Sequence, residues 1–155
     1  MEQDGADSPS AKELCKQYRE RFVAALRPLG DSLLINAEDV KTDLLVLEQV
    51  FADPSQYGNV LLQIAAQLST LCAQPHLGKD LKGPLAGWRK HKISSGRESR
   101  ADLRILFRRT GQQIELLGFG HRDEPYDVYR FVGSRVAEPA LRQVSAGGQP
   151  PAPKA

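Results

Sequence analysis

The chain has 155 residues, 41% of them hydrophobic, enough to bury one core in the usual single-domain range. No run of about 18 apolar residues is available to cross a bilayer, and the start, MEQDGADSPS, is acidic where a secretory leader is basic and then apolar; a cytoplasmic protein with no membrane partner is expected. Net charge is only +2, yet residues 1–78 carry 6 Lys/Arg against 11 Asp/Glu while residues 79–135 carry 13 against 7, so the second half is a basic unit suited to a polyanion, nucleic acid above all.

Residues 1–9 read as a disordered start, and 136–155, ending SAGGQPPAPKA, as a flexible Gly/Pro-rich tail. Ser10 with Glu13 has the capping-box form, and Leu14, Tyr18, Phe22 and Leu26 recur at helical spacing until Pro28, predicting a helix over 11–26 inside an N-terminal extension, 10–31. SLLIN at 32–36 is a short β-compatible run. Leu44, Leu47, Val50 and Phe51 predict a helix over 37–51, ended by Asp53-Pro54. After Tyr57-Gly58, the residues Val60, Leu61, Ile64, Ala65, Leu68, Leu71 and Cys72 give a broad apolar helical face that Pro75 terminates.

From residue 87 the pattern alternates instead: GWRKHKIS, ADLRILFRR and QIELLGFG each have strand length, with Thr110-Gly111 as a hairpin turn between the last two. The expected fold is α+β, a small antiparallel sheet with two helices packed on one face and the other face open, over a domain spanning 32–135. Cys15 and Cys72 lack CxxC spacing, which points to neither a zinc site nor a disulfide. No Asp/Glu/His cluster has metal-ligand spacing, so no metal or small-molecule cofactor is expected.

Alternation along LRILFR sets Leu103, Ile105 and Phe107 on one strand face and Arg104, Leu106 and Arg108 on the other, with Arg104 turned away from the helices. In IELLGFGH the same rule groups Glu115, Leu117, Phe119 and His121, with Arg122 in the loop that follows. The hairpin then brings Asp102 or Arg104 close to His121 or Arg122, making a basic concave face with a histidine and tyrosines at its rim, fit for a phosphodiester. Structural readings compete at each position. Arg104 can pair with Glu115 across the hairpin, His121 can bond backbone at the strand end, Trp88 can be core packing, and Tyr126 or Tyr129 can close the core as a rim residue.

Three stretches in order, LGKDLKGPLAGWRKHKI, RADLRILFRR and LLGFGHRDEPYDVYR, resemble the RelE/ParE superfamily of bacterial toxins from toxin–antitoxin pairs, over about residues 32–131. The helix over 11–26 is additional to that family, and the spacing from Arg122 to Val128-Tyr129 is longer than its usual pattern. The resemblance implies a metal-independent endoribonuclease that cleaves mRNA on the ribosome by 2′-OH attack on the adjacent phosphate, with a cognate antitoxin protein, mRNA and the ribosome as partners. It puts Arg104 and Arg122 on the scissile phosphate, His121 in the role of acid or base, Asp102 in proton transfer, and Tyr126 or Tyr129 at the family's tyrosine. The catalytic set is thus His121, Arg122, Arg104, Tyr129 and Asp102. RNA contacts fall to Lys82, Arg89, His91, Lys92, Arg100, Tyr126 and Arg130, the strand register leaving open which of Arg89, His91 and Lys92 face the substrate. The same fold also carries ParE-type toxins that bind DNA gyrase, and it can serve as a non-catalytic interaction module. His121 beside an arginine pair favours the nuclease.

Overall fold

The computed structural model describes residues 9–74, 76–96, 101–123 and 127–137. Helix α1, Ala11–Leu26, starts where the Ser10 hydroxyl accepts the Glu13 N–H at 3.1 Å, satisfying a donor that has no partner inside the helix. A 3₁₀ turn over Arg27–Ser32 leads into strand β1, Leu33–Leu34, and then α2, Ala37–Val50, whose Asn36 side chain accepts from the N–H groups of Glu38 and Asp39. Helix α3 runs Pro54–Ala73, beginning earlier than the sequence suggests. Asp53-Pro54 is a start signal as well as a stop: Asp53 accepts the Gln56 N–H, and Pro54 takes the first helical position, where its missing N–H costs nothing. Gly58 lies inside this helix because the Tyr18 ring of α1 rests on it, and a Cβ there would come within 2.6 Å of the ring.

The strands β2 (Lys79–Asp80), β3 (Arg89–Ile93), β4 (Leu103–Thr110) and β5 (Gln113–His121) follow, then helix α4, Val128–Ala137. Sheet order is β1-β5-β4-β3-β2. The fold is α+β, but the sheet is mixed rather than antiparallel: β1 runs parallel to β5, pairing Leu33 with Ile114 and Leu34 with Glu115. Two helices and three strands intervene between β1 and β5, so no hairpin dictates an antiparallel approach.

One face of the sheet carries the main core, in which Leu103, Ile105, Phe107, Ile114, Leu116 and Phe119 meet Leu47, Phe51, Ile64 and Leu68. Three helices contribute to it instead of two. Helix α1 inserts Cys15, Phe22 and Leu26, and the Phe22 ring lies 5.4 Å from that of Phe119; the N-terminal helix therefore shares one core with the rest. Fully burying a side chain such as Phe22 contributes about 1.5–3 kcal/mol.

The opposite face, expected to be open, is partly covered. Trp88, Leu106 and Leu117 pack under Val128 and Val132 of α4. The i, i+4 spacing of those valines, continued by Val136, is a helical signal that alternation in the preceding strands obscures. The strands also do not alternate without a break: a bulge between Leu106 and Phe107 shifts the pairing from Leu106–Gly118 to Phe107–Leu116. Leu117 consequently faces α4 while Phe119 enters the main core, so the expected grouping of Glu115, Leu117, Phe119 and His121 on one face is broken in the middle.

A buried ion pair ties α4 to the remainder. Arg135 donates from Nη1 to Asp43 Oδ2 at 2.9 Å and to the Leu117 carbonyl at 3.0 Å, and from Nη2 to Asp43 Oδ1 at 2.8 Å. Asp43 also accepts the Phe119 N–H at 3.1 Å. Because β1 ends at Leu34, that N–H lies beyond the reach of the β1 ladder, and a carboxylate stands in for the missing strand. Gly118 is the cost of this route, since a Cβ there would sit 2.6 Å from Arg135 Nη1. Burial pushes the Asp43 carboxyl above the usual carboxylate range, while Arg135 and the Phe119 N–H pull it back down.

Asp43→Asn should destabilise the fold by about 1–3 kcal/mol, because Arg135 loses its two-oxygen partner and keeps only the Asp39 carboxylate, 3.3 Å from its Nε, whereas Asp43→Leu with Arg135→Met should cost less than the single change. Urea unfolding of the three proteins measures both; a single variant no less stable than the parent contradicts the assignment.

Candidate nucleic-acid interface

The register of β2, β3 and β4 sorts the cations. Lys79 pairs with Lys90, Lys90 with Leu106, and Lys92 with Arg104, which puts Lys79, Lys90, Lys92 and Arg104 on the sheet face that carries Leu106. Arg122 follows directly on β5. The Lys92 ammonium has its pKa lowered from the ordinary lysine value, first by Lys90, then by Arg104 and Lys79, with smaller effects of burial and of Arg122. Repulsion among like charges on a fixed sheet is relieved most directly by a polyanion.

Both arginines are held by backbone. Arg104, only 8% exposed, donates from Nη1 to the carbonyls of Ala101 at 3.1 Å and Leu103 at 2.9 Å. Arg122 donates its backbone N–H to the Asp102 carbonyl at 3.0 Å, and its Nη2 stands 3.7 Å from the Asp123 carboxylate. Among the described residues, Arg104 Nε and Arg122 Nε and Nη2 have no hydrogen-bond acceptor. Those nitrogens are themselves buried, so what the two guanidinium groups offer a phosphate at the surface is chiefly their charge.

His121 lies elsewhere. It pairs across the ladder with Leu103, whose side chain enters the main core, while Arg104 pairs with Gly120. Its ring is edge-on to Phe51 at 6.2 Å, and the residue is 7% exposed. Nδ1 accepts the Asp123 N–H at 3.1 Å, so a neutral ring carries its proton on Nε2, which is 3.8 Å from Asp102 Oδ2. Asp102 is itself fully buried and accepts from the Ser95 N–H at 2.8 Å and the Ser95 hydroxyl at 2.7 Å. His121 and Asp102 thus form a layer behind the turn that carries Arg122, on the other side of the sheet from Arg104. Ser95 had no motif to mark it, and only the pairing of the strand ends reveals it.

Comparison with protein-family models, with curated proteins and with solved structures finds no match.

The remaining sequence-derived positions divide between the two faces. Arg89 faces the helices: its Nη2 donates to the carbonyls of His76 at 3.4 Å and Gly78 at 3.0 Å, and its Nε lies 3.4 Å from Asp80, so it staples the chain before β2. His91 also faces the helices, its Nε2 2.7 Å from Gln67 Oε1 of α3. Of Arg89, His91 and Lys92, therefore, Lys92 alone shares the face of Arg104, and the other two do not join the basic patch. Lys82 is exposed just before the 3₁₀ turn Gly83–Leu85. Tyr129 is half-buried against the Trp88, Leu106 and Val132 cluster, and Arg130 is exposed on α4. Arg100 and Tyr126 lie outside the described residues. Glu115 accepts from Arg108 at 2.8 Å, and the Arg108 guanidinium also lies over the Trp88 ring, 4.4 Å from its centre. Lys79 and Lys90 were overlooked in the sequence, although Lys90 alternates with Lys92 along one strand.

Burial lowers the His91 pKa below the ordinary histidine value. The unfolded chain then takes up a proton that the folded chain refuses, so stability should fall as pH drops through about 6.5. Urea midpoints measured at about pH 7.5 and about pH 5.5 should show a smaller acid loss in His91→Gln than in the parent; equal losses would contradict the assignment.

Proposed function

We propose that the protein is a RelE/ParE-type toxin acting in the cytoplasm, an endoribonuclease that cleaves mRNA on the ribosome and is restrained by a cognate antitoxin protein. The observation that supports this most is the basic patch of Lys79, Lys90, Lys92 and Arg104 beside Arg122. In the proposed reaction the ribose 2′-hydroxyl gives up its proton to solvent water as its oxygen attacks the adjacent phosphorus, and the bond to the 5′-oxygen breaks, leaving a 2′,3′-cyclic phosphate and a 5′-hydroxyl. The charge that develops on the phosphorane oxygens is met by Arg104, whose guanidinium is held by the carbonyls of Ala101 and Leu103, and by Arg122, whose backbone N–H is tied to the Asp102 carbonyl. Lys92, made more acidic by its neighbours, gives its proton to the departing 5′-oxygen. His121 and Asp102 are positioning residues in this reading: one accepts the Asp123 N–H and the other the Arg122 N–H, which together fix the Arg122 turn.

Single-turnover cleavage of ribosome-bound mRNA tests this, with thermal unfolding as the check on fold. Arg122→Ala should slow cleavage by about 10²–10³-fold, as loss of a transition-state donor does, and Arg122→Lys should also be impaired because a point charge replaces a planar fork. His121→Asn, whose Oδ1 can accept the Asp123 N–H, should retain far more activity than His121→Ala; if both fail alike, His121 moves a proton itself. Unchanged cleavage and growth arrest in Arg104→Gln and Arg122→Ala would sink the nuclease reading.

A further inference from the structure

The first 78 residues hold 6 Lys/Arg against 11 Asp/Glu, yet their charge is sorted against that composition. Helix α1 packs on α3 and α2 packs on β5, which leaves a trough between α1 and α2. Four of the six cations, Lys16, Arg19, Arg27 and Lys41, line it, and Glu20 is the one carboxylate among the lining residues. Arg19 is held by Glu48. The floor is apolar, with Val23, Ile35 and Leu44, and Val23 remains 43% exposed. A second depression continues past Val23 and Ile35 to Gly30 and Leu33.

We infer that this trough docks an amphipathic helix of a partner protein, apolar along one stripe and flanked by Asp and Glu. Helices seat in grooves of this kind by their apolar stripe, and charge at the flanks sets the partner and its orientation. Lys16 and Arg27 are eleven residues apart, roughly 16 Å along a helix axis, with Lys41 on the opposite wall. Cations spread along a trough match carboxylates spread along a rod. A small anionic amphiphile has a single head group and would call for cations gathered at one end. The trough shares no residue with the basic sheet face, and the inference does not rest on the nuclease reading.

The test uses the full chain and a fluorescein-labelled synthetic peptide of about 18 residues, or five helical turns, with leucines at i, i+3, i+4 and i+7 spacing and glutamates beside them. A twin carries lysines in place of the glutamates, and binding is read by fluorescence anisotropy. The glutamate peptide should bind at least about tenfold more tightly than its twin, because like charges facing one another are strongly unfavourable. Val23→Asp should abolish that binding, and Lys16→Glu with Lys41→Glu should invert the preference, thermal unfolding confirming that each variant is folded. Equal affinity for the twins, or indifference to Val23→Asp, overturns the inference. So does loss of peptide binding in Lys90→Glu/Lys92→Glu alone, which would put the peptide on the sheet, or saturable binding of sodium dodecanoate that excludes the peptide, which would make the occupant a small amphiphile.

Discussion

Arg135 reaches across β5 to Asp43, and the arrangement of the sheet depends on that contact. Asp43 takes the N–H of Phe119 where β1 no longer pairs, and Arg135 takes the carbonyl of Leu117 two residues earlier. Helix α2, between β1 and β2, and helix α4, after the last strand, are thereby fastened to one strand edge, which would otherwise offer its polar groups to another chain. The contact also explains Gly118, because any side chain at that position would occupy the space of the guanidinium.

That fastening shapes the face where the cations lie. Helix α4 covers Leu106, Leu117 and Trp88, removing the apolar part of the face from water and leaving Lys79, Lys90, Lys92 and Arg104 outside that cluster. Backbone carbonyls then hold Arg104 and the Arg122 turn. Under the proposed function such an arrangement would meet an anion without reorganising, the condition under which fixed charge contributes most to a transition state. The histidine layer behind it, Ser95 to Asp102 to His121, has the character of a strut.

Much of this was legible in the sequence where the signal is local. Ser10 with Glu13 marked the start of α1, and Thr110-Gly111 marked the hairpin, since both are decided within a few residues. Asp53-Pro54 was ambiguous for a physical reason: a proline that ends one helix can also open the next. The bulge at Leu106 and Phe107 left no local trace, and the alternation rule carried past it assigned His121 to the wrong face. The faces of β3 were left open because Arg89, His91 and Lys92 are all polar; the core position of Ile93 and the contact of Gln67 with His91 decide them. The Asp43–Arg135 pair spans 92 residues, a separation over which sequence pattern carries no information.

The central claim, that the Arg104 face and not the histidine layer meets the phosphodiester, is tested most directly by nuclear magnetic resonance titration with a short RNA blocked by a 2′-deoxy sugar at the cleavage position. Side-chain and backbone signals of Lys79, Lys90, Lys92, Arg104 and Arg122 should shift together and saturate, and those of His91 and α1 should stay in place. The apparent affinity should fall with salt at a log–log slope of roughly −3, as expected for four or five phosphate contacts on a single strand. Shifts confined to the helix layer, or none on the sheet at concentrations that saturate elsewhere, would contradict the account.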